Sequence, residues 1–240
     1  MLFKVSGTAV FPVIHSLENA QVCKNITTAA ECGAAGVFLI NHDFAVDEFL
    51  PIIKFARSKF PNFWIGANFL GVSGRVAFPI LSKLESDGCR VDGYWADDAR
   101  IDESGDARNQ PEAAEILDIK KQCRWNGIYF GGTAFKKQRV VEEADYLAAA
   151  RVAAHWMDVV TTSGVATGQE AGTGKVETFR TGVGDTALGL ASGVTPENVL
   201  DYARFLDAIL VATGINYTDD FYNIDPDRLK QLNEGLQKQL

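Results

Sequence analysis

Two glycine-bearing segments near the carboxyl terminus carry the strongest chemical signal in this sequence. One is Ala191-Ser192-Gly193-Val194-Thr195-Pro196-Glu197-Asn198 and the other is Ala212-Thr213-Gly214-Ile215. Glycine allows close approach of backbone to ligand, and turns that leave N–H groups unpaired bind anions. Ser192, Gly193, Thr213 and Gly214 are therefore candidate phosphate-binding residues. Tight strand-to-helix turns are the plain alternative. Thr195 can cap the following helix, with Pro196 at its first position and Glu197 in its first turn.

Proton transfer needs a titratable group within hydrogen-bond reach of the substrate, and the candidates are Asp97, His15 and His42. Asp97 and Asp98 are adjacent, so in extended chain only one of them faces inward. Asp97 shares parity with Trp95 and Gly93, and reads as a base or a partner for substrate hydroxyls, or else as a helix cap. His15 and His42 end neighbouring β-rich runs with Asp43 nearby. A hydrogen-bonded histidine pair is the simpler reading of them. A divalent metal on His42 and Asp43, as in a hydrolase, is the other, and we assign no metal or cofactor. Asn41, Asp43, Asn68, Lys136, Thr161 and Ser163 complete the site as candidate substrate contacts.

Lys136 and Lys137 either meet a second anionic group or simply open a helix. His155 ends a helix far from these residues, as a C-terminal cation or a packing residue. Residues 163–175, with glycines at 164, 168, 172 and 174 and with Lys175, read as a loop that closes over a substrate or as plain surface. Val176 follows Gly174-Lys175, so this is no phosphate loop of the GxxxxGK[ST] kind.

The elements that must position these groups alternate regularly. β-rich runs occur at 10–16, 36–41, 63–70, 92–97, 127–133, 158–163, 187–192 and 208–213. Helical patterns follow them at 17–32, 46–60, 75–87, from 111, 140–155, 176–182, 195–206 and 226–239. Eight strand-then-helix units of about 30 residues each predict one α/β domain over 1–240, a closed (β/α)8 TIM barrel. In that fold the active site lies at the carboxyl ends of the strands, where the candidates above fall. The loops after strands seven and eight are its recurrent phosphate site. Pro12 is the one misfit, because proline removes a ladder hydrogen bond from a central strand.

Composition narrows the partners. With 23 Lys and Arg against 31 Asp and Glu, the net charge is −8, which argues against binding to nucleic acid or an anionic membrane. No apolar run reaches the roughly 18–20 residues of a membrane span. The amino terminus does not read as a signal peptide, and the four dispersed cysteines read as free thiols, so a cytoplasmic protein is expected.

The run Val159-Val160-Thr161-Thr162-Ser163-Gly164-Val165-Ala166-Thr167-Gly168, the two glycine segments and the tail Tyr222-Asn223-Ile224-Asp225-Pro226-Asp227-Arg228-Leu229 together resemble the BtpA/SgcQ family. The likeness covers about residues 110–240. It implies a ribulose-phosphate-binding barrel, one branch of which is named for photosystem I biogenesis and whose members often carry a phosphoribosylanthranilate isomerase label. Those isomerases use a Cys ending strand one and an Asp ending strand five. His15-Ser16 and Gly131-Gly132-Thr133 stand there in this chain, so other residues would move the protons. The expected function is an enzyme acting on a small phosphorylated ligand, with a homo-oligomer as a possible state. A non-catalytic binding or assembly factor on the same barrel is the second reading, and the metal-dependent hydrolase the third.

Overall fold

The computed structural model describes residues 2–3, 7–136, 138–164 and 170–237. Strands β1 (Ala9–His15), β2 (Val37–Ile40), β3 (Ile65–Asn68), β4 (Gly93–Ala96), β5 (Ile128–Gly132), β6 (Val159–Thr162), β7 (Ala187–Leu190) and β8 (Ala208–Val211) are all parallel and close on themselves in sequence order. The helices that return the chain outside the barrel are α1 (Asn19–Glu31), α2 (Val46–Lys59), α3 (Gly74–Ser86), α4 (Pro111–Gln122), α5 (Tyr146–Ala153), α6 (Thr173–Val183), α7 (Val199–Ala203) and α8 (Pro226–Gln237). This is the (β/α)8 barrel that the alternation predicts.

Strand side chains alternate between two cores. Phe11 and Val13 of β1, Phe38 and Ile40 of β2, Trp95 of β4 and Phe130 of β5 point inward and fill the barrel. Val10 and Ile14, Leu39, Tyr94 and Tyr129 point outward beneath the helices. The interior floor is aromatic: Phe11 lies 4.7 Å from Trp64 and Phe38 lies 5.0 Å from Phe130, centroid to centroid. Such bulk leaves no pore and confines any ligand to the upper end.

Pro12 proves compatible with β1 because that strand changes partner beside it. Residues Ala9, Val10, Phe11 and Pro12 pair with β8, and Val13, Ile14 and His15 pair with β2. The expected fifth helix over 140–155 is shorter, a 3-10 turn at Glu143–Asp145 running into α5. Its predicted start is the β-branched pair Val140-Val141, poor helix formers, and Val140 is 86% exposed.

At the lower end an aspartate recurs just before β4, β6 and β8. Asp92 accepts the Ile65 N–H, Asp158 the Tyr129 N–H and Asp207 the Leu188 N–H, at 2.9, 2.7 and 2.8 Å. Each also pairs with a cation from an even-numbered helix: Arg57 of α2, Lys120 of α4 and Arg180 of α6. Conserving strand register at the bottom leaves the top free for chemistry.

Candidate active site

His15, His42 and Asp97 continue the inward parity of β1, β2 and β4 one step past the apolar interior, beyond Val13, Ile40 and Trp95 respectively. Alternation therefore delivers all three into one cavity of about 400 Å³ at the carboxyl end of the barrel. The same cavity is lined by Lys136 after β5, by Ser192 and Gly193 after β7, and by Thr213 and Gly214 after β8. Eight of the thirteen predicted site residues thus share one space. Its floor is apolar, from Val13, Ile40, Trp95 and Leu210, with Leu70, Gly71, Phe135 and Gln138 at the sides.

The two glycine loops are locked to each other. A Cβ on Gly214 would lie 1.9 Å from the Val194 carbonyl oxygen, so only glycine permits the approach. Gly193 sits at φ +71°, in the region that favours glycine. The carbonyl of Gly193 accepts from Asn198 Nδ2 at 2.8 Å, on the outer side of the loop. Val194, the next residue, also lines the cavity. Arg228 Nε similarly holds the Gly214 carbonyl at 2.9 Å and pairs with Glu197 at 3.1 Å. The Ser192 hydroxyl accepts the Gly164 N–H at 3.0 Å, joining the loop to the end of β6. Thr195 does not cap α7 as expected, because that helix starts later, at Val199, with Asn198 as its N-cap residue. Thr195 Oγ1 instead accepts the Glu197 N–H at 3.2 Å within a turn.

Asp97 and Asp98 separate as parity requires. Asp98 turns out to Arg139 at 3.1 Å, while Asp97 enters the cavity and accepts from Asn68 Nδ2 at 3.1 Å. Burial raises the Asp97 pKa. The Asn68 amide, the Lys136 charge and the Gly71 N–H act against that rise. The His15 and His42 rings meet edge to face, with centroids 4.9 Å apart. His15 is lowered to about 4, first by burial and then by the neighbouring His42 and Lys136. Its contact with the Phe221 carbonyl and the charge of Asp43 pull the other way. With that pKa His15 is an uncharged imidazole at neutral pH.

Five predicted contacts lie off the cavity wall. Asn41 braces its own loop, donating to the Phe44 carbonyl at 2.8 Å and accepting the Leu70 N–H at 3.0 Å. Asp43 accepts from the Tyr222 hydroxyl at 3.2 Å. Ser163 Oγ accepts the Lys136 N–H at 2.7 Å and donates to the Gly164 carbonyl at 2.8 Å. Asn68 stands behind Asp97. Thr161 faces the barrel interior, since it keeps the parity of Val159. Its Oγ1, together with Trp95 Nε1 and Asn68 Oδ1, is a buried polar atom with no partner among the described residues. Among the described residues, no group of three or more His, Cys, Asp or Glu is arranged to hold a metal ion.

Lys137 lies outside the described residues, as do 165–169 of the loop expected to act as a lid. The described Lys175 of that loop donates to the carbonyls of Ala134 and Ser163 at 2.7 and 2.8 Å, tying the ends of β5 and β6 together. Burial lowers its pKa to about 8. His155 is exposed and its ring contacts the Arg151 carbonyl at the end of α5. Sequence reasoning missed Phe221, Arg228 and Asn198. Asn198 had a local signal, the turn following Gly193, but Phe221 reaches the site from a loop that no local pattern connects to β1.

Fold and cavity together define a (β/α)8 barrel with one polar cluster at its upper end. Solved structures of the same fold include a phosphoribosyl anthranilate isomerase from Thermus thermophilus, at 13% identity and TM-score 0.63, covering 97% of this chain and 100% of that one. Tryptophan synthase subunit alpha from Legionella pneumophila is similar at 10% identity and TM-score 0.67, covering 96% and 93%. A further phosphoribosyl anthranilate isomerase, in complex with reduced 1-(o-carboxyphenylamino)-1-deoxyribulose 5-phosphate, aligns at 14% identity and TM-score 0.60, covering 96% and 99%. No family model and no curated protein sequence matches the chain.

Proposed function

We propose that the protein is an enzyme acting on a small phosphorylated ligand, a sugar phosphate or ribosyl compound, of the kind the BtpA/SgcQ resemblance implies. One observation carries the reading: Asp97, His15 and His42 open onto the same cavity as the interlocked loops Ser192-Gly193 and Thr213-Gly214. Backbone N–H groups of those loops bind the phosphate, and Lys136 adds positive charge on the far side of the cavity. The remainder of the ligand then lies over the apolar floor. His15 takes a proton from it as the neutral base and Asp97, the carboxyl on the same cavity wall, is its partner in proton transfer, which is the chemistry of an isomerase or lyase. Asn68 positions Asp97. Thr161 and Trp95 supply buried hydrogen-bonding atoms for a ligand oxygen that reaches the floor. A solved isomerase of this fold that holds a deoxyribulose 5-phosphate supports the same class of ligand.

The test is a thermal-shift series with inorganic phosphate, ribose 5-phosphate and ribulose 5-phosphate, since a ligand bound only by the native state raises its melting temperature. A sugar phosphate is expected to outdo free phosphate. Ser192→Glu, which puts a carboxylate beside the anion site, is expected to abolish the shift, and Asp97→Asn to retain it. Equal shifts in wild type and Ser192→Glu would place the phosphate elsewhere. No shift at millimolar concentrations would favour the non-catalytic binding factor.

A further inference from the structure

The loop from β8 to α8 does more than connect them. After the short 3-10 turn Thr213–Ile215 it reaches the end of the neighbouring strand β1 and is fixed there from several sides. The Tyr222 carbonyl accepts from Gln21 Nε2 at 2.7 Å and from Asn25 Nδ2 at 2.8 Å. The Ile224 N–H donates back to Asn25 Oδ1 at 3.0 Å. Both partners belong to α1, so the helix that follows β1 dictates where Phe221 lies. Asn216 Nδ2 adds a bond to the Phe221 carbonyl at 3.0 Å.

Phe221 then meets His15 twice. Its ring stacks on the imidazole with centroids 3.8 Å apart and planes 5° from parallel. Its carbonyl oxygen lies 2.9 Å from His15 Nδ1. A carbonyl only accepts hydrogen bonds, so the proton of that bond belongs to Nδ1. In a neutral imidazole the other nitrogen, Nε2, is then the one with the free lone pair.

We propose that Phe221 is a positioning residue of the active site, whose carbonyl fixes the proton of His15 on Nδ1 and whose stacked ring favours the neutral imidazole, so that Nε2 is the base. The inference rests on the proton-transfer role proposed above for His15. It adds what that role leaves open, namely which nitrogen reacts and what holds it. The carbonyl selects the tautomer and the apolar ring face excludes water from one side of the imidazole, which disfavours its charged form. The charged and titratable groups around His15 are His42 and Asp43 after β2 and Lys136 after β5. The first and last oppose its protonation, and Asp43 favours it. The loop that begins at Thr213 and Gly214, the proposed phosphate residues, therefore also sets the state of the base at the end of the neighbouring strand.

Nitrogen-15 NMR of the imidazole rings tests this on the ligand-free protein, with His15→Gln and His42→Gln assigning the signals and the exposed His155 as internal reference. At pH 7 His15 is expected to show a protonated Nδ1 and an unprotonated Nε2, and to stay neutral well below the ordinary histidine pKa of about 6.5. Phe221→Tyr preserves the stack and is expected to leave this titration in place. Phe221→Ala is expected to move it upward by about one pH unit, towards the ordinary histidine value. A wild-type His15 that carries its proton on Nε2, or titrates at the ordinary histidine value, would overturn the proposal whether or not the alanine variant folds. An unchanged titration in a folded Phe221→Ala would remove the ring from it. Because no ligand is present, a failed thermal-shift series leaves this result standing, and the converse also holds.

Discussion

His15 is neutral in the folded protein at neutral pH, and that has a cost in acid. Its folded pKa of about 4 lies below the ordinary 6.5, so the unfolded chain takes up the proton first as the pH falls. The stability tied to this group is complete above pH 6.5 and is lost progressively down to pH 4, for a total of roughly 3 kcal/mol at 1.4 kcal/mol per pKa unit. Asp97 acts with the opposite sign: its raised pKa means that the native state gains protons earlier than the unfolded chain, which adds stability as the pH falls through that window. Denaturant unfolding at pH 7 and pH 4.5 is expected to show a smaller loss for His15→Gln than for wild type. Equal losses would mean that His15 is solvated. At this scale the sequence was informative where alternation decides: Asp97 over Asp98 followed from the parity of Trp95. Asn41, Asp43 and Ser163 escaped the same logic. Their side chains are engaged by neighbours, such as the Leu70 N–H and the Tyr222 hydroxyl, whose positions no local pattern reveals.

Among the elements, the pair of loops after β7 and β8 is the decisive one. Gly214 is fixed by contact with the neighbouring loop, since an added Cβ would collide with the Val194 carbonyl. Gly214→Ala must push the loops apart. It is expected to cost about 1–3 kcal/mol, as overpacking does. It should also weaken any phosphate-dependent rise in melting temperature, which the same thermal-shift series reads. An unperturbed phosphate response would show that the loops bind no anion. Strand positions and glycine turns were legible because a buried parallel strand is a short apolar run ended by turn residues. The start of α5 was not. Arg139, the residue just before its predicted first turn, is drawn away to Asp98 and Glu103, contacts made across the preceding loop.

For the whole molecule, the lower rim secures the barrel on which the upper rim works. Arg57 is almost fully buried, donates to the carbonyls of Arg90, Phe60 and Phe63, and pairs with Asp92. Arg57→Met leaves Asp92 buried without that partner. Breaking such a pair costs about 3–5 kcal/mol, or roughly 10 °C of melting temperature in a chain of this size. Calorimetry is the check, and phosphate binding below the transition is expected to persist because the site lies at the other end of the strands. A variant as stable as wild type would mean that the aspartate pairings do not hold the register. The barrel as a whole was readable in advance because each of its eight units repeats the same strand-then-helix pattern, and a parallel crossover has one favoured hand. Three things followed from the chain alone: the architecture, the end of the barrel where the candidate residues gather, and the candidacy of the two glycine loops. All three depend on local periodicity and turn chemistry. Only the tertiary structure decided that His15 lies under Phe221, that Asn198 and Arg228 hold the glycine loops in place, and that Lys175 ties β5 to β6. These contacts join segments far apart in sequence, and they form because closing the barrel brings all eight strand ends to one mouth.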